Sequence, residues 1–201
     1  MIIIFALLFL IFTYFIAAIP FGLVLSKFVA KKDIREHGSK NIGATNVTRV
    51  LGKKLGFLTL ILDALKGAAM VILARFLFVN LQYLHLFLVL VSLTAVLAHI
   101  YPIYIDFKGG KGVATAIATL FALDPTVGLM VICFWIICFL LFHISSLASL
   151  FGIFSSVVLS WCYGAPASQI ILCLILSGII GYRHKENIVR LVNGEEKKMK
   201  L

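Results

Sequence analysis

Seven apolar runs constrain this 201-residue chain more than any other feature. They fall at about 2–25, 55–79, 84–104, 113–123, 126–142, 147–162 and 168–182. A helix crossing a bilayer needs about 17–25 apolar residues, because every backbone N–H and C=O must be paired within the segment once water is gone. Six runs approach that length and 113–123 falls short of it. The chain is 62% hydrophobic and 13% charged, with a mean hydropathy of +1.12, more apolar surface than a soluble domain can bury. The expectation is an all-α integral membrane protein, with residues 1–201 as a single membrane domain. No basic segment precedes 2–25, so that run reads as a retained span rather than a cleaved signal.

Charge decides how the runs thread. Of 18 Lys and Arg, eight lie in 27–54, two in 108–111 and six in 183–200; the other two, Lys66 and Arg75, lie inside the second run. The segments near 80–83, 124–125 and 163–167 carry none. If 113–123 crosses, there are seven transmembrane helices, the N-terminus is outside and the C-terminus is cytoplasmic, and all three basic segments share the cytoplasmic side. If it only dips and returns, the basic tail lands outside. The positive-inside rule favours seven, with Arg75 fitting poorly and snorkelling outward. The net charge of +10 has the same origin, helped by anionic membrane lipid, and no basic-aromatic strip argues for nucleic acid. Cys133, Cys138, Cys162 and Cys173 all lie in apolar runs and read as small buried hydrophobes, neither disulfides nor metal ligands. Asp124-Pro125 marks a turn. Residues 44–54 read as a short surface helix after a loop-like stretch.

This threading gathers four polar stretches on one side. They are HGSKNIGATNVTRVLG at 37–52, DALKG at 63–67, AHIYPIYIDFKGGKGVAT at 98–115 and GYRHKENIVRL at 181–191; a short patch, HISSLAS at 143–149, joins them. In FKGGKG, Gly109, Gly110 and Gly112 permit turns that point backbone N–H groups inward. A helix starting at Gly112 or Val113 adds its positive end, and Lys108 and Lys111 add full charges. The plain alternative is a tight turn whose lysines touch lipid headgroups. The loop is not a Walker A motif, since GxxxxGK[ST] is absent.

In GSKNIGATN, Ser39, Asn41, Thr45 and Asn46 offer polar groups, and Arg49 can grip a phosphate with its planar fork. Such residues also cap ordinary turns. Asn46-Val47-Thr48 matches a glycosylation sequon, set aside because a basic loop should not be translocated. Asp63 and Lys66 cost about 2.5–3.5 kcal/mol each deep in a span. Three apart, they share a helix face, and either pair with each other or line a polar cavity. His99 and Pro102 end the third run. His184 stands among Arg183, Asn187 and Arg190, which otherwise read as a lipid-bound basic edge. Glu195, Glu196, Lys197, Lys198 and Lys200 read as a solvated tail. HxxxxD, HExxH and GxSxG are absent, as is any acid cluster suited to magnesium. The polar groups present bind anions and stabilise developing negative charge; they supply no obvious strong base.

Together and in this order, GSKNIGATNVTR, DALKG, HIYPIYIDFKGGKGVAT, SSLAS and RHKENIVRL resemble the motifs of the acyl-phosphate-dependent glycerol-3-phosphate acyltransferases, the PlsY family, across essentially the whole chain. That resemblance implies seven spans in a bacterial plasma (inner) membrane with the active site facing the cytoplasm. It implies transfer of an acyl chain from acyl phosphate to the 1-hydroxyl of sn-glycerol 3-phosphate, giving lysophosphatidate and inorganic phosphate. Ser39, Arg49, Lys111, His184 and Asn187 match positions expected to hold glycerol phosphate or the reacting groups, with Ser146 beside them. Asn41, Gly43, Thr45, Asn46 and the glycines 109, 110 and 112 would cradle the acyl phosphate, with Lys66, Lys108 and Ser149 also on the substrate side. Phosphate is the leaving group, so no cofactor or metal is implied; the chain is compatible with a monomer. Lys40 replaces the family's usual Gly, Ile42 its usual Pro, and His143 stands where another basic residue is common. A carrier for organic phosphates and a non-catalytic lipid-binding subunit are the competing readings. A carrier usually places its site at mid-membrane between repeats, and no repeat is visible.

Overall fold

The computed structural model describes residues 1–199; Lys200, grouped above with the solvated tail, lies outside the described residues. Every regular element among them is helical. The chain divides into two compact units, one spanning Met1–Thr119 and one beginning at Leu120.

All seven apolar runs fold as helices. The first is broken into α1 (Ile2–Ala17) and α2 (Phe21–Phe28). Pro20 lies at the break, because its ring collides with the carbonyl four residues back and it has no N–H to donate. The amphipathic stretch becomes α3 (Ala44–Leu51), and Gly52, at φ 94°, separates it from α4 (Lys53–Leu77). α5 (Leu84–Ile100), a single 3₁₀ turn at Ile103–Ile105 and α6 (Val113–Leu123) follow. The remainder is α7 (Pro125–Phe142), α8 (Ser145–Cys162), α9 (Ala167–Arg183) and α10 (Lys185–Val192). By length and hydropathy five segments suffice to cross a membrane, α1 and α2 counting as one, and a sixth does if the α9–α10 pair, bent by 66°, is one span. α6 has 11 residues and rises only about 16 Å, roughly half of a hydrocarbon layer. Seven crossings are therefore not reached by length alone.

In the first unit, Ala17, Ala18, Ala95 and Ala98 are all fully buried where α1 meets α5. Small side chains let two helix backbones approach closely, which is how helices associate where lipid removes the hydrophobic drive. Phe78 makes edge contacts with Phe9 and Phe87, with ring centroids 5.4 and 4.8 Å apart. A second cluster, Leu23, Ile34, Ile42 and Val47, lies beneath the 30–50 segment, and Ile105 packs on it. One small core thus carries both polar loops of this unit.

In the second unit, Asp124 caps α7: its Oδ1 accepts from the N–H groups of Thr126 and Val127, both at 3.1 Å, and its Oδ2 accepts from Gln169 Nε2 at 3.1 Å. The expected turn is this cap followed by Pro125 at the first helical position. Trp135 stacks on Phe139 at 5.2 Å and lies over Gly152 of α8. Ile3, Leu7, Phe76, Leu141 and Trp161 point outward and are exposed, the normal state of a lipid-facing side chain. Cys138 and Cys173 are buried as expected; Cys133 and Cys162 are on the outer surface instead, and all four are free thiols.

Candidate functional site

The 33–51 segment is organised by one side chain. Asn46 is 1% exposed. Its Nδ2 points at three carbonyl oxygens, those of Asn41 (2.8 Å), His37 (3.0 Å) and Ile34 (3.3 Å), while Oδ1 accepts from Ser39 N–H at 2.8 Å. Gly38 makes this possible: its φ is 61°, and a Cβ there would overlap Asn46 Oδ1. Asn46 was expected to cradle phosphate. Its amide is instead consumed by the loop's own backbone, so it shapes the loop that others use. Asn41 Oδ1 accepts from Gly43 N–H at 2.8 Å and so sets the entry to α3. Ser39 and Arg49 are exposed and Thr45 is half-buried. Lys40, where the family usually has Gly, takes φ 58°, the conformation that a glycine adopts without cost.

At the edge of this segment, Asp33 accepts from Arg35 Nε at 3.0 Å and Nη2 at 2.7 Å, with Lys27 Nζ at 3.3 Å. The hydrogen bonds from Arg35 hold its carboxyl well below the usual aspartate range.

The glycine loop leaves α5 by folding back on it. Gly109 N–H donates to Ile100 O (3.1 Å) and Gly110 N–H to His99 O (3.2 Å). These two amides were expected to face an anion; they are spent on the end of α5, because the chain must reverse there and each amide finds a carbonyl in doing so. Asp106 and Phe107 take φ 53° and 58°, and Gly112, at φ 88°, turns the chain into α6. The candidate anion-binding part of the loop is therefore narrower than the sequence implies: half-buried Lys111, Gly112 and the positive end of α6, with Lys108 exposed beside them.

Asp63 and Lys66 pair, Nζ to Oδ1 2.9 Å, with side chains 4% and 2% exposed. Lys66 Nζ also donates to Ile19 O (2.8 Å), a carbonyl released by the break at Pro20, and lies 5.7 Å from the centroid of the Phe21 ring. The ammonium is thus held by protein groups, unlike the substrate-side placement expected for Lys66. His99 Nδ1 lies 3.6 Å from the same Asp63 oxygen.

In the second unit, His184 ends α9 and precedes α10, and its Nδ1 lies 2.8 Å from Ile180 O. A carbonyl only accepts, so Nδ1 carries the proton. Asn187 is buried, and its Nδ2 donates to Glu196 Oε1 at 2.7 Å. Ser146 donates to the same oxygen at 2.8 Å, and Arg190 Nε to Glu196 Oε2 at 2.6 Å. Sequence reasoning missed Glu196, an acid among lysines that looks solvated. Its tail instead returns to the fold, and Met199 N–H donates to His143 O at 2.8 Å. Burial pushes the Glu196 carboxyl up, but hydrogen bonds from Arg190, Ser146 and Asn187 outweigh it and hold the pKa below the ordinary 4.5. Ser149 is internally satisfied: it donates to Ser145 O (2.7 Å) and accepts from Trp135 Nε1 (3.2 Å). Among the described residues no three His, Cys, Asp or Glu side chains cluster as a metal site requires.

A family model described as glycerol-3-phosphate acyltransferase matches residues 7–194. A glycerol-3-phosphate acyltransferase of Anaeromyxobacter sp. (strain Fw109-5) is 42% identical over 189 residues, covering 94% of this chain and 93% of the relative. That of Aquifex aeolicus (strain VF5) is 41% identical over 191 residues, covering 95% and 97%. A crystal structure of PlsY (YgiH), an integral membrane glycerol 3-phosphate acyltransferase, in its glycerol 3-phosphate form superposes with a TM-score of 0.90 at 40% identity, over 97% of this chain and 96% of that one. The lysophosphatidic acid form gives 0.87 at 39%, over 97% and 95%.

Proposed function

The chain belongs to the glycerol-3-phosphate acyltransferase family, of the PlsY type, and is an integral membrane acyltransferase; on that premise we propose that it moves an acyl chain from an acyl phosphate to the 1-hydroxyl of sn-glycerol 3-phosphate. The products are lysophosphatidate and inorganic phosphate, the first acylation step of phospholipid synthesis. The observation that carries the donor assignment is Lys111 at the head of α6. A half-buried ammonium at the positive end of a helix suits a phosphate-bearing substrate better than a neutral thioester carbonyl.

In this reading the attacking hydroxyl oxygen bonds to the acyl carbon, the acyl C–O bond to phosphate breaks, and the phosphate leaves with the electron pair. Ser39, Arg49, Lys111, Ser146, His184 and Asn187 hold the glycerol phosphate and the reacting groups. Asn41, Gly43, Thr45, Lys108 and Gly112 hold the acyl phosphate, with Gly109 and Gly110 closing the loop onto α5 and Ser149 fixing the first turn of α8 through Ser145. Asn46 and Lys66 serve from beneath. Cationic and N–H groups act by placing two anions together and screening their repulsion. No side chain need be a strong base, because a substrate phosphate takes the hydroxyl proton, and no cofactor is required. We further read the chain as crossing a bacterial inner membrane seven times, N-terminus outside, with the α6 head and both basic loops in the cytoplasm. Labelling of single-cysteine variants at Lys31, Lys108 and Lys185 from the inner face alone supports that threading; labelling of Lys185→Cys from outside refutes it.

The test of function offers the purified protein glycerol 3-phosphate with palmitoyl phosphate or with palmitoyl-CoA, following phosphate release and lysophosphatidate. Product from acyl phosphate alone supports the reaction. Product from acyl-CoA alone overturns the donor. Uptake of labelled glycerol 3-phosphate into vesicles with no acylated product identifies a carrier instead.

A further inference from the structure

We propose that Asp63 and His99 are positioning residues: the buried carboxylate of α4 holds the imidazole, and the imidazole in turn sets where the loop carrying Lys111 leaves α5. This rests on the reading of that loop as an anion-binding element.

The argument begins at Gly110. Its φ lies outside the left-handed region, so the backbone there would accept a side chain. Space is what forbids one. A Cβ on Gly110 would overlap His99 Nε2 and meet Cε1 at 2.9 Å and Cδ2 at 3.1 Å, so the edge of the imidazole is pressed against this glycine. The opposite edge of the same ring faces Asp63, with Nδ1 3.6 Å from Oδ1. The carboxylate, the ring and the glycine therefore form a stack from inside α4 to the residue immediately before Lys111.

The same turn of α4 also meets the far end of the loop. Thr115 Oγ1 donates to the Asp63 carbonyl at 2.9 Å, and Gly67 has the Thr115 and Thr119 methyl groups where its own Cβ would be, at 2.7 and 2.9 Å. Asp63 is thus a shared footing for the entry of the loop, through His99, and for its exit into α6, through Thr115. Lys66 completes the arrangement by neutralising the carboxylate and tying it to Ile19 O at the α1–α2 break. Asp63 and His99 are both nearly inaccessible, so their effect on an anion reaches it through the loop. Lys66 alone would satisfy a purely structural Asp63; it would not explain why the histidine lies between that carboxylate and a glycine that only sterics requires.

The experiment is a cycle on the full-length protein in detergent or nanodiscs. It comprises Gly110→Ala, His99→Ala and the double variant, each measured for thermal midpoint and for kcat and KM toward both phosphate-bearing substrates. Gly110→Ala forces the loop off the imidazole. It lowers the midpoint and raises KM for at least one substrate by on the order of tenfold or more, with a smaller change in kcat. Removing the ring makes room for the methyl, so His99→Ala/Gly110→Ala recovers part of both losses relative to Gly110→Ala. Losses that simply add in the double variant overturn the proposal. Asp63→Asn/Lys66→Met removes both buried charges together, so no unpaired charge confounds folding. It raises the same KM, and an unchanged KM in a folded protein removes Asp63 from the role. Should the wild type transfer no acyl group, the proposed function fails, and the midpoint cycle, with inorganic phosphate as the stabilising probe, still decides the positioning role.

Discussion

Asn46→Ala tests the organisation of the 33–51 segment most directly. The side chain supplies donors to Asn41 O, His37 O and Ile34 O and accepts from Ser39 N–H, at 2.8, 3.0, 3.3 and 2.8 Å. An amide has two hydrogens, so these contacts amount to about three full hydrogen bonds. Each is worth about 1 kcal/mol net when its partner can rehydrate and about 1–3 where it cannot. His37 and Ser39 are exposed and Ile34 is buried, so the lower values apply to most of the set and the loss is about 3 kcal/mol. At 1.36 kcal/mol per decade, local opening becomes about 150-fold more frequent. The reporters are the amides of Lys40 and Val47. They bond to His37 O and Gly43 O, not to the Asn46 side chain, so their exchange registers opening of the segment rather than loss of one bond. Exchange at both should accelerate by about two orders of magnitude while α5 is unaffected. Asn46→Asp keeps the shape and the Ser39 acceptor but turns an oxygen toward three carbonyls, so it should be at least as damaging. Acceleration below threefold in Asn46→Ala would refute the assignment of Asn46 as the organiser of this loop.

Gly22→Ala would drive a methyl into the Ile42 carbonyl and against Thr59 Cγ2 at 3.2 Å, and backbone cannot swing aside; a cost of about 1–3 kcal/mol should lower the thermal midpoint by about 3–10 °C, and an unchanged midpoint is the contrary result. Glu196 is held below its ordinary pKa of 4.5, so the stability it contributes is complete above that value and is lost as pH falls through the depressed one. Exchange at Met199 N–H, bonded to His143 O, should therefore be flat from neutral pH to about 5 after correction for intrinsic rate and rise below it; Glu196→Gln should abolish that rise. Lys111→Ala and Arg49→Ala should each cost about 10²–10³ in kcat/KM and His184→Ala far less, if charge placement rather than general base chemistry drives the reaction. Loss of all turnover in His184→Ala with substrate binding intact would restore the histidine as base.

The apolar runs were legible in the sequence because a membrane span is a local requirement: a long enough stretch of apolar residues pairs its own backbone and needs nothing from the rest of the chain. The turn at Asp124-Pro125 was legible for the same reason, since Asp124 acts on neighbours within three residues, whereas the break at Pro20 falls inside a run read as one continuous span. The motif stretches were legible as candidates: a glycine-rich stretch with Lys108 and Lys111, and Ser39 with Arg49, carry residue types that suit an anion. What each polar group does was decided only by tertiary structure. Asn46 looked like a ligand-binding amide and is consumed by backbone five to twelve residues away. Lys66 looked substrate-facing and is taken by Asp63 and by Ile19, 47 residues earlier. Glu196 looked solvated and accepts from Ser146, 50 residues earlier. A hydrogen-bonding side chain declares its valence in the sequence but not its partner, because the partner is set by which distant backbone the packed helices bring within 3 Å. In an apolar surrounding any polar group left without one is costly, and so the tertiary fold, rather than the motif, determines which of these groups remain available to a substrate.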